Sequence, residues 1–228
     1  MPTLYNGNRA FEATLLGPAD SRRAVLFAAG RGGDPSRHDA LLRHLAAHGC
    51  KVIAPHFEMI APTPSADAVA ERGRMLALAL DAFAVGAKLV VGVGHSIGAS
   101  LLLGLAGATL TVITREKVEL RANAALHKLV LLAPALDFVS MPGALAPVDV
   151  PVIVWSGAMD ELSLPSRAEM LEAGIGARNS VVRHVLEGAN HFSFMDTPPP
   201  QTHESLSDRD AVLRELHADI ARLCSGPV

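Results

Sequence analysis

Cysteine is almost missing from this chain. Its two representatives, Cys50 and Cys224, stand far apart at no metal-ligand spacing, so a disulfide framework and a thiolate metal site give way to two small buried apolar residues. Charge is scarce as well. Charged residues make up 19% of the chain, the net charge is −3, and Lys and Arg are scattered without a basic stripe, which leaves no electrostatic case for nucleic acid. Met1 to Gly17 holds no apolar run long enough for a signal peptide, so a cytoplasmic location is expected. No His/Cys/Asp cluster marks a metal site, and no G-x-G-x-x-G or Walker pattern marks a nucleotide, so neither metal nor cofactor is expected. No repeat and no linker interrupts the chain either. Pro198-Pro199-Pro200 reads as a rigid loop, and residues 1–228 as a single domain without a large cap.

What is abundant is apolar sequence, 50% of all residues, enough for one large core. Leu89 to Thr114 is uncharged for so long that a hydropathy window would flag a membrane span, but glycines and His95 interrupt it, and strand, turn and helix account for its front. No membrane association is expected.

The remaining chain alternates strand and helix signals. Phe11 to Gly17 reads as an edge strand, and Ala24 to Ala29 as a buried strand breaking into Gly30-Arg31-Gly32-Gly33-Asp34-Pro35. Ser36 is placed to cap a helix with Leu41, Leu42, Leu45 and Ala46 at helical spacing. Lys51 to Ala54 is a strand, and Ser65 or Asp67 starts a long helix ending at Gly86. Leu110 to Leu120 reads as a short hairpin or an irregular insertion around Arg115-Glu116-Lys117. Strands at Lys128–Ala133, Val150–Trp155 and Ser180–Leu186, helices at Ser166–Ala173 and Ser207–Leu223, complete an α/β pattern: a mostly parallel sheet with helices on both faces.

Gly94-His95-Ser96-Ile97-Gly98 carries the chemistry. It follows the β-branched run Lys88–Val93 and precedes the helix-forming run Ala99–Ala106, the strand–turn–helix setting that gives G-x-S-x-G its meaning. The turn is sharp, so flanking glycines keep Cβ atoms out of the bend while the serine is lifted off the strand end. A serine hydroxyl needs a base in contact with it and a third group to orient that base. In open α/β sheets such groups stand at carboxyl ends of strands. Downstream of Ser96, Asp160 follows Val150–Trp155 and His191 follows Ser180–Leu186, in the order Ser, Asp, His. Glu161 and Asp137 compete as the acid; Asp137 follows the preceding strand. His95 is nearer Ser96 in sequence, but neighbouring elbow residues point apart, so it reads as structural.

With Gly157-Ala158-Met159-Asp160 and Gly188-Ala189-Asn190-His191-Phe192, these residues make the chain resemble the α/β-hydrolase superfamily over nearly its whole length, in particular its compact, lid-poor dienelactone-hydrolase and carboxylesterase-like branch. Dienelactone hydrolases carry cysteine at the nucleophile, where this chain has Ser96, which favours ordinary ester chemistry. The resemblance implies a sheet of about seven or eight strands and an oxyanion hole. It assigns one donor to Ile97 N–H and the other to Arg31 N–H, with Gly30 as the alternative; the histidine of the family's H-G-x-G-G pattern is here Ala29. Expected substrate walls are Phe57 in the Pro55–Pro64 loop, Met141, Phe192, Phe194 and Met195, and Arg31 is placed to reach an anionic group.

The function implied is hydrolysis of a small carboxylic ester or thioester through an acyl-enzyme. Two alternatives stand beside it: a non-catalytic relative binding a small ligand, and the same residues used for amide or C–C hydrolysis or acyl transfer. Without a lid, hydrolysis is expected to slow once the acyl chain exceeds about six to eight carbons. The partner is a small-molecule substrate; oligomeric state stays open.

Overall fold

The computed structural model describes residues 1–176, 178–203 and 205–226. Ten strands and five helices form among these residues: β1 Thr3–Asn6, β2 Arg9–Leu16, β3 Arg23–Ala28, α1 Asp39–Ala47, β4 Lys51–Pro55, α2 Ala66–Phe83, β5 Leu89–His95, α3 Ile97–Leu105, β6 Thr109–Thr111, β7 Lys117–Glu119, β8 Lys128–Leu132, β9 Val152–Gly157, α4 Glu169–Ile175, β10 Val181–Leu186 and α5 Arg209–Cys224.

Eight of the strands make one sheet in the order β1-β2-β4-β3-β5-β8-β9-β10. The six from β4 to β10 run parallel, while β1 pairs antiparallel with β2 and β2 antiparallel with β4. Each crossover helix covers one face, so strand residues must be apolar on both sides, and alternate residues enter different cores. Val25, Phe27, Val91, Val93, Val130 and Leu132 pack with Leu41, Leu42 and Leu45 of α1 and Leu213, Leu216 and Ile220 of α5. Their neighbours Leu26, Leu129 and Leu131 pack on the other face with Leu76 of α2, Leu101 and Leu102 of α3 and Leu171 of α4.

From β3 the chain winds outward to β4, then crosses back to β5 and continues the other way. The reversal falls between β3 and β5, and such a reversal opens a crevice at the carboxyl ends of the flanking strands. Both the Gly30–Gly33 loop and the Ser96 turn leave their strands there.

Several sequence expectations need correction. Phe11–Gly17 is not at the sheet edge: β1 lies outside it, joined through a two-residue turn at Gly7 (φ +61°) and Asn8. The Gly7-Asn8 dipeptide, with glycine at the first central position of the turn, is the hairpin signal that marks this extra strand. Ser36 does not cap the helix. Asp34 accepts from Ser36 N at 2.9 Å and caps a 3₁₀ turn, Pro35–His38, that leads into α1. The last helix starts at Arg209 rather than Ser207, with Asp208 as its cap, accepting from Ala211 N at 3.0 Å. Ser65 caps α2 as one of the two expected starts. Leu110–Leu120 contains a two-stranded hairpin, β6 with β7, apart from the main sheet. Cys50 and Cys224 are buried free thiols. No helix among the described residues is long and apolar enough to cross a membrane. The Leu89–Thr114 span resolves into β5, α3 and β6.

Candidate active site

Ser96 ends β5 and begins α3 with φ 56° and ψ −125°, a left-handed conformation that L side chains rarely adopt. Such strain persists only where surroundings impose it. Here they do. A Cβ on Gly98 would lie 2.1 Å from the Ala28 carbonyl oxygen, and one on Gly94 would lie 2.8 Å from Ala99 N, so both glycines let α3 press against the sheet. Ser96 N donates to Leu132 O at 3.0 Å, and Ala135 N donates back to Ser96 O at 3.2 Å.

The hydroxyl so presented meets His191. Ser96 Oγ and His191 Nε2 are 3.0 Å apart, and His191 Nδ1 lies 2.9 Å from Asp160 Oδ2. The acid's side chain is fully buried, and its other oxygen accepts from Leu162 N at 2.9 Å and Ser163 N at 2.7 Å. Two backbone donors therefore fix the carboxylate and leave Oδ2 for imidazole, which puts the Nδ1 proton toward Asp160 and the Nε2 lone pair toward the serine. Acid and base loops are also joined through Gly157, where a Cβ would meet Ala189 O at 2.3 Å. Asp137 is not in this arrangement: it is exposed and paired with Arg167. Glu161 is exposed beside the acid turn.

His95 is buried, and its Nε2 donates to the His191 carbonyl oxygen at 2.9 Å. Burial, with His191 and His38 nearby, holds its pKa well below the usual histidine value, so the ring is a neutral brace under the base loop.

Opposite the base lies Gly30, whose Cβ, were there one, would be 3.3 Å from Ser96 Cβ. Its carbonyl accepts from Gly33 N at 3.0 Å and from Arg72 Nη1 at 2.9 Å. Arg72 Nη2 donates to Arg31 O at 2.8 Å and also to Glu58 O. Across a trans peptide the N–H points opposite to the C=O, so with the Gly30 carbonyl held by Arg72 the Arg31 N–H faces the other way. Arg72 is buried, its guanidinium lies 5.0 Å from the Phe57 ring centroid, and burial, with Arg31 second, lowers its pKa to about 10, so it stays charged at neutral pH. Sequence reasoning missed this residue. The signal was there: Arg72 stands three residues after Val69 and four before Leu76, in the buried stripe of α2, where a cation needs a reason.

The expected substrate walls divide. Phe192 is half-buried, edge-on to His191 with ring centroids 5.2 Å apart. Phe194 is fully buried with Phe27 in the core on the α1/α5 face, and Met195 is buried too, so neither is a wall; after Phe192 the chain turns inward. Met141 is exposed and lines a 390 Å³ trough with Val112, Ile113 and Phe138. Phe57 lines a larger cleft of 760 Å³ with Phe11, Glu71 and Arg72, and that cleft touches none of Ser96, His191 and Asp160. Size is a poorer guide here than contact with the reactive groups. The cleft that does touch His191 measures 330 Å³. Arg31 is exposed, and its Nη1 donates to Ile60 O at 3.2 Å.

No protein-family model matches the chain, and no curated protein matches it significantly. Solved structures do, 873 chains in all. A protein of unknown function from Agrobacterium tumefaciens, described as a candidate α/β hydrolase, superposes with a TM-score of 0.69 at 17% identity over 97% of this chain and 96% of its own. The monoacylglycerol lipase of Paleococcus ferrophilus gives 0.65 at 13% identity, covering 94% and 98%. A propionate-bound esterase from Thermogutta terrifontis gives 0.63 at 15%, covering 95% and 89%. The chain has the α/β-hydrolase fold.

Proposed function

We propose that the protein is a serine hydrolase that cleaves a small carboxylic ester through an acyl-enzyme, with Ser96 as nucleophile, His191 as base and Asp160 as the acid that orients it. The observation that carries this is the continuous pair of contacts at 3.0 and 2.9 Å from Ser96 through His191 to a buried carboxylate. Neutral His191 takes the Ser96 proton as Oγ adds to the ester carbonyl, then gives it to the leaving oxygen; water repeats the sequence on the acyl-enzyme. The oxyanion formed in each half is met by Ile97 N–H, at the amino end of α3, and by Arg31 N–H. Two donors fixed before reaction contribute about a hundredfold or more each. The esterase and lipase among the structural neighbours share the fold this reading needs, and their activities are their own.

The test is active-site labelling by a fluorophosphonate probe, with mass spectrometry locating the adduct. Ser96 is expected to carry it. Ser96→Ala should keep the fold, lose the label and lose turnover by several orders of magnitude, because residues of such a set act as a unit. Stoichiometric labelling of the variant would remove Ser96 from the role. An ester panel then places the acyl-length optimum, expected below about eight carbons.

A further inference from the structure

His191 reaches Ser96 from far away. Its loop leaves β10 at the sheet edge, and β9 and β8 lie between that strand and β5, which carries the serine. A side chain projected so far from its own strand is held in place only if something grips it on the near side. The residues after the base provide the grip. Ser193 N donates to Asn190 O at 3.2 Å and Met195 N to Phe192 O at 3.1 Å, so residues 190–195 fold into overlapping turns. Asn190 Oδ1 tightens them by accepting from Phe192 N at 2.8 Å, and the knot moves as one piece. Directly behind it, Asp196 Oδ2 accepts from Leu41 N at 3.2 Å, while Oδ1 lies 3.4 Å from His217 Nε2 of α5.

Leu41 is the third residue of α1, and that helix has no cap of its own: His38, at the cap position, makes no side-chain hydrogen bond to it. A carboxylate suits the place, since it satisfies an orphan amide and faces the positive end of the helix. Between α1 and the Gly30–Gly33 loop stand only Asp34 and the 3₁₀ turn Pro35–His38. That turn is tied to the same segment, for Arg37 Nη1 donates to Thr197 O and Thr197 N to Arg37 O, both at 3.1 Å. Asp196 therefore closes a ring that runs from the Gly30–Arg31 peptide through α1 to His191. Ser96 stands between the ring's two ends.

We propose that Asp196 is a positioning residue for the base: by docking the segment behind His191 on the amino end of α1, it fixes the imidazole relative to Ser96 Oγ and the donors of the Gly30–Arg31 loop. This rests on the serine-hydrolase reading above. Asp196 touches no reacting atom, and its effect is on rate. With the tie cut, His191 and Asp160 still move together, because Gly157 packs against Ala189 O and joins their loops. What loosens is the approach of Nε2 to Ser96 Oγ, the distance across which the proton passes. A misplacement of about 1 Å there costs about tenfold to a hundredfold. Acylation and deacylation use the same base, so both slow together and KM changes little.

The experiment uses the full chain, with p-nitrophenyl butyrate as substrate and a fluorophosphonate as label. Asp196→Ala is expected to lose kcat about 10- to 30-fold with KM within about twofold, and labelling of Ser96 should slow by the same factor. Asp196→Asn keeps an oxygen for Leu41 N and should recover kcat to within about threefold of the parent protein. Ser65→Ala removes a cap elsewhere, the hydroxyl that accepts from Ala68 N at the start of α2, and should lower the denaturation midpoint while kcat and labelling stay put. An unchanged kcat in folded Asp196→Ala, a loss confined to KM, no recovery in Asp196→Asn, or an equal kcat loss in Ser65→Ala overturns the proposal. If Asp196→Ala does not fold, Asp196→Ser, one atom too short for Leu41 N, takes its place; if that fails to fold as well, the residue is a structural tie and the proposal falls. A parent protein labelled at Ser96 beside an unimpaired Asp196→Ala removes Asp196 and leaves the hydrolase reading standing. If Ser96 of the parent takes no label, both fall.

Discussion

Arg72 shows how a single side chain reaches the chemistry without touching it. Its guanidinium spends its donors on the carbonyls of Gly30, Arg31 and Glu58, so the loop that faces Ser96 is pinned from behind by a rigid fork. Lysine, a point donor, cannot span the same two peptides. Arg72→Met should strip those carbonyls of their charged donor, leaving Gly30 O to Gly33 N and Arg31 O to Ile60 N alone, and let the Gly30–Arg31 peptide turn. We expect kcat to fall about 10- to 100-fold with a smaller change in KM, and Arg72→Lys to recover only part of it. Separate kcat and KM values, with thermal melting to confirm folding, check this; an unchanged kcat in a folded Arg72→Met protein refutes it. At this scale the sequence was most legible where one residue type has one use. Ser96, Asp160 and His191 could be picked out because a glycine-flanked serine, and polar residues just past apolar strands, have few structural reasons to be there. Phe194 and Met195 misled because an aromatic or a methionine serves a core as readily as a pocket. Arg72 was passed over because its acceptors are backbone groups, so only its place in the buried stripe of α2 marked it.

Among elements, the contact between α3 and the end of β3 decides whether the strained turn survives. Gly98 has no room for a methyl: the Ala28 and Ala29 carbonyls lie 2.1 and 2.6 Å from where its Cβ would be. Gly98→Ala should push α3 off the sheet and let Ser96 relax toward ordinary backbone angles. Destabilisation of about 1–3 kcal/mol is expected from overpacking alone. Activity should fall further than that loss explains, because the relaxed serine no longer meets His191. Denaturant titration set beside kcat/KM at a temperature where the variant is folded separates the two effects; full activity in a folded variant refutes it. The helices and parallel strands were readable from period and punctuation, as the match of Lys51–Ala54 to β4 and of Ser180–Leu186 to β10 shows. The edge hairpin was not, because β1 has four half-exposed or exposed residues and so no apolar alternation, and only Gly7-Asn8 announced it. Caps shifted by one or two residues because a 3₁₀ turn and an α-helix can share one polar start, as at Asp34, Ser36 and Asp39.

Across the whole molecule, buried histidines set the acid limit. Burial, then His217, lowers His38 to about 3, and burial, then His44, lowers His217 to about 4, while His95 is also held neutral. Unfolded histidines take up protons near 6.5, so below that pH the unfolded chain binds protons that the native state refuses. Stability is complete above about pH 6.5 and declines as pH falls, until each group's native value is passed. At pH 5, 1.5 units below 6.5, His38 and His217 each contribute a loss of about 2 kcal/mol at ~1.4 kcal/mol per unit, and His95 adds to it in the same direction. Asp196, raised by burial and 3.4 Å from His217 Nε2, works in the opposite sense from pH 3.8 upward and offsets part of the loss. Melting temperature recorded between pH 8 and pH 4 should fall steadily below 6.5, and His38→Phe should flatten the slope; a level profile down to pH 4 refutes it.

The sheet order assigns the reacting groups to unequal ground. β5, beneath the serine, lies between β3 and β8 in the middle of the sheet, while the loop bearing His191 hangs from β10, the last strand, whose Val182 and Val185 are 44% and 49% exposed. An outermost strand with thin cover is the first to fray when a fold is stressed. Mild urea should therefore silence the protein while its circular dichroism is still native, and amide exchange should be faster over Val181–Leu186 than over Leu89–His95. Under the proposed function, inactivation precedes denaturation and reverses on dilution, which gives the molecule a reserve: stopped at its margin, it keeps its interior intact and can start again.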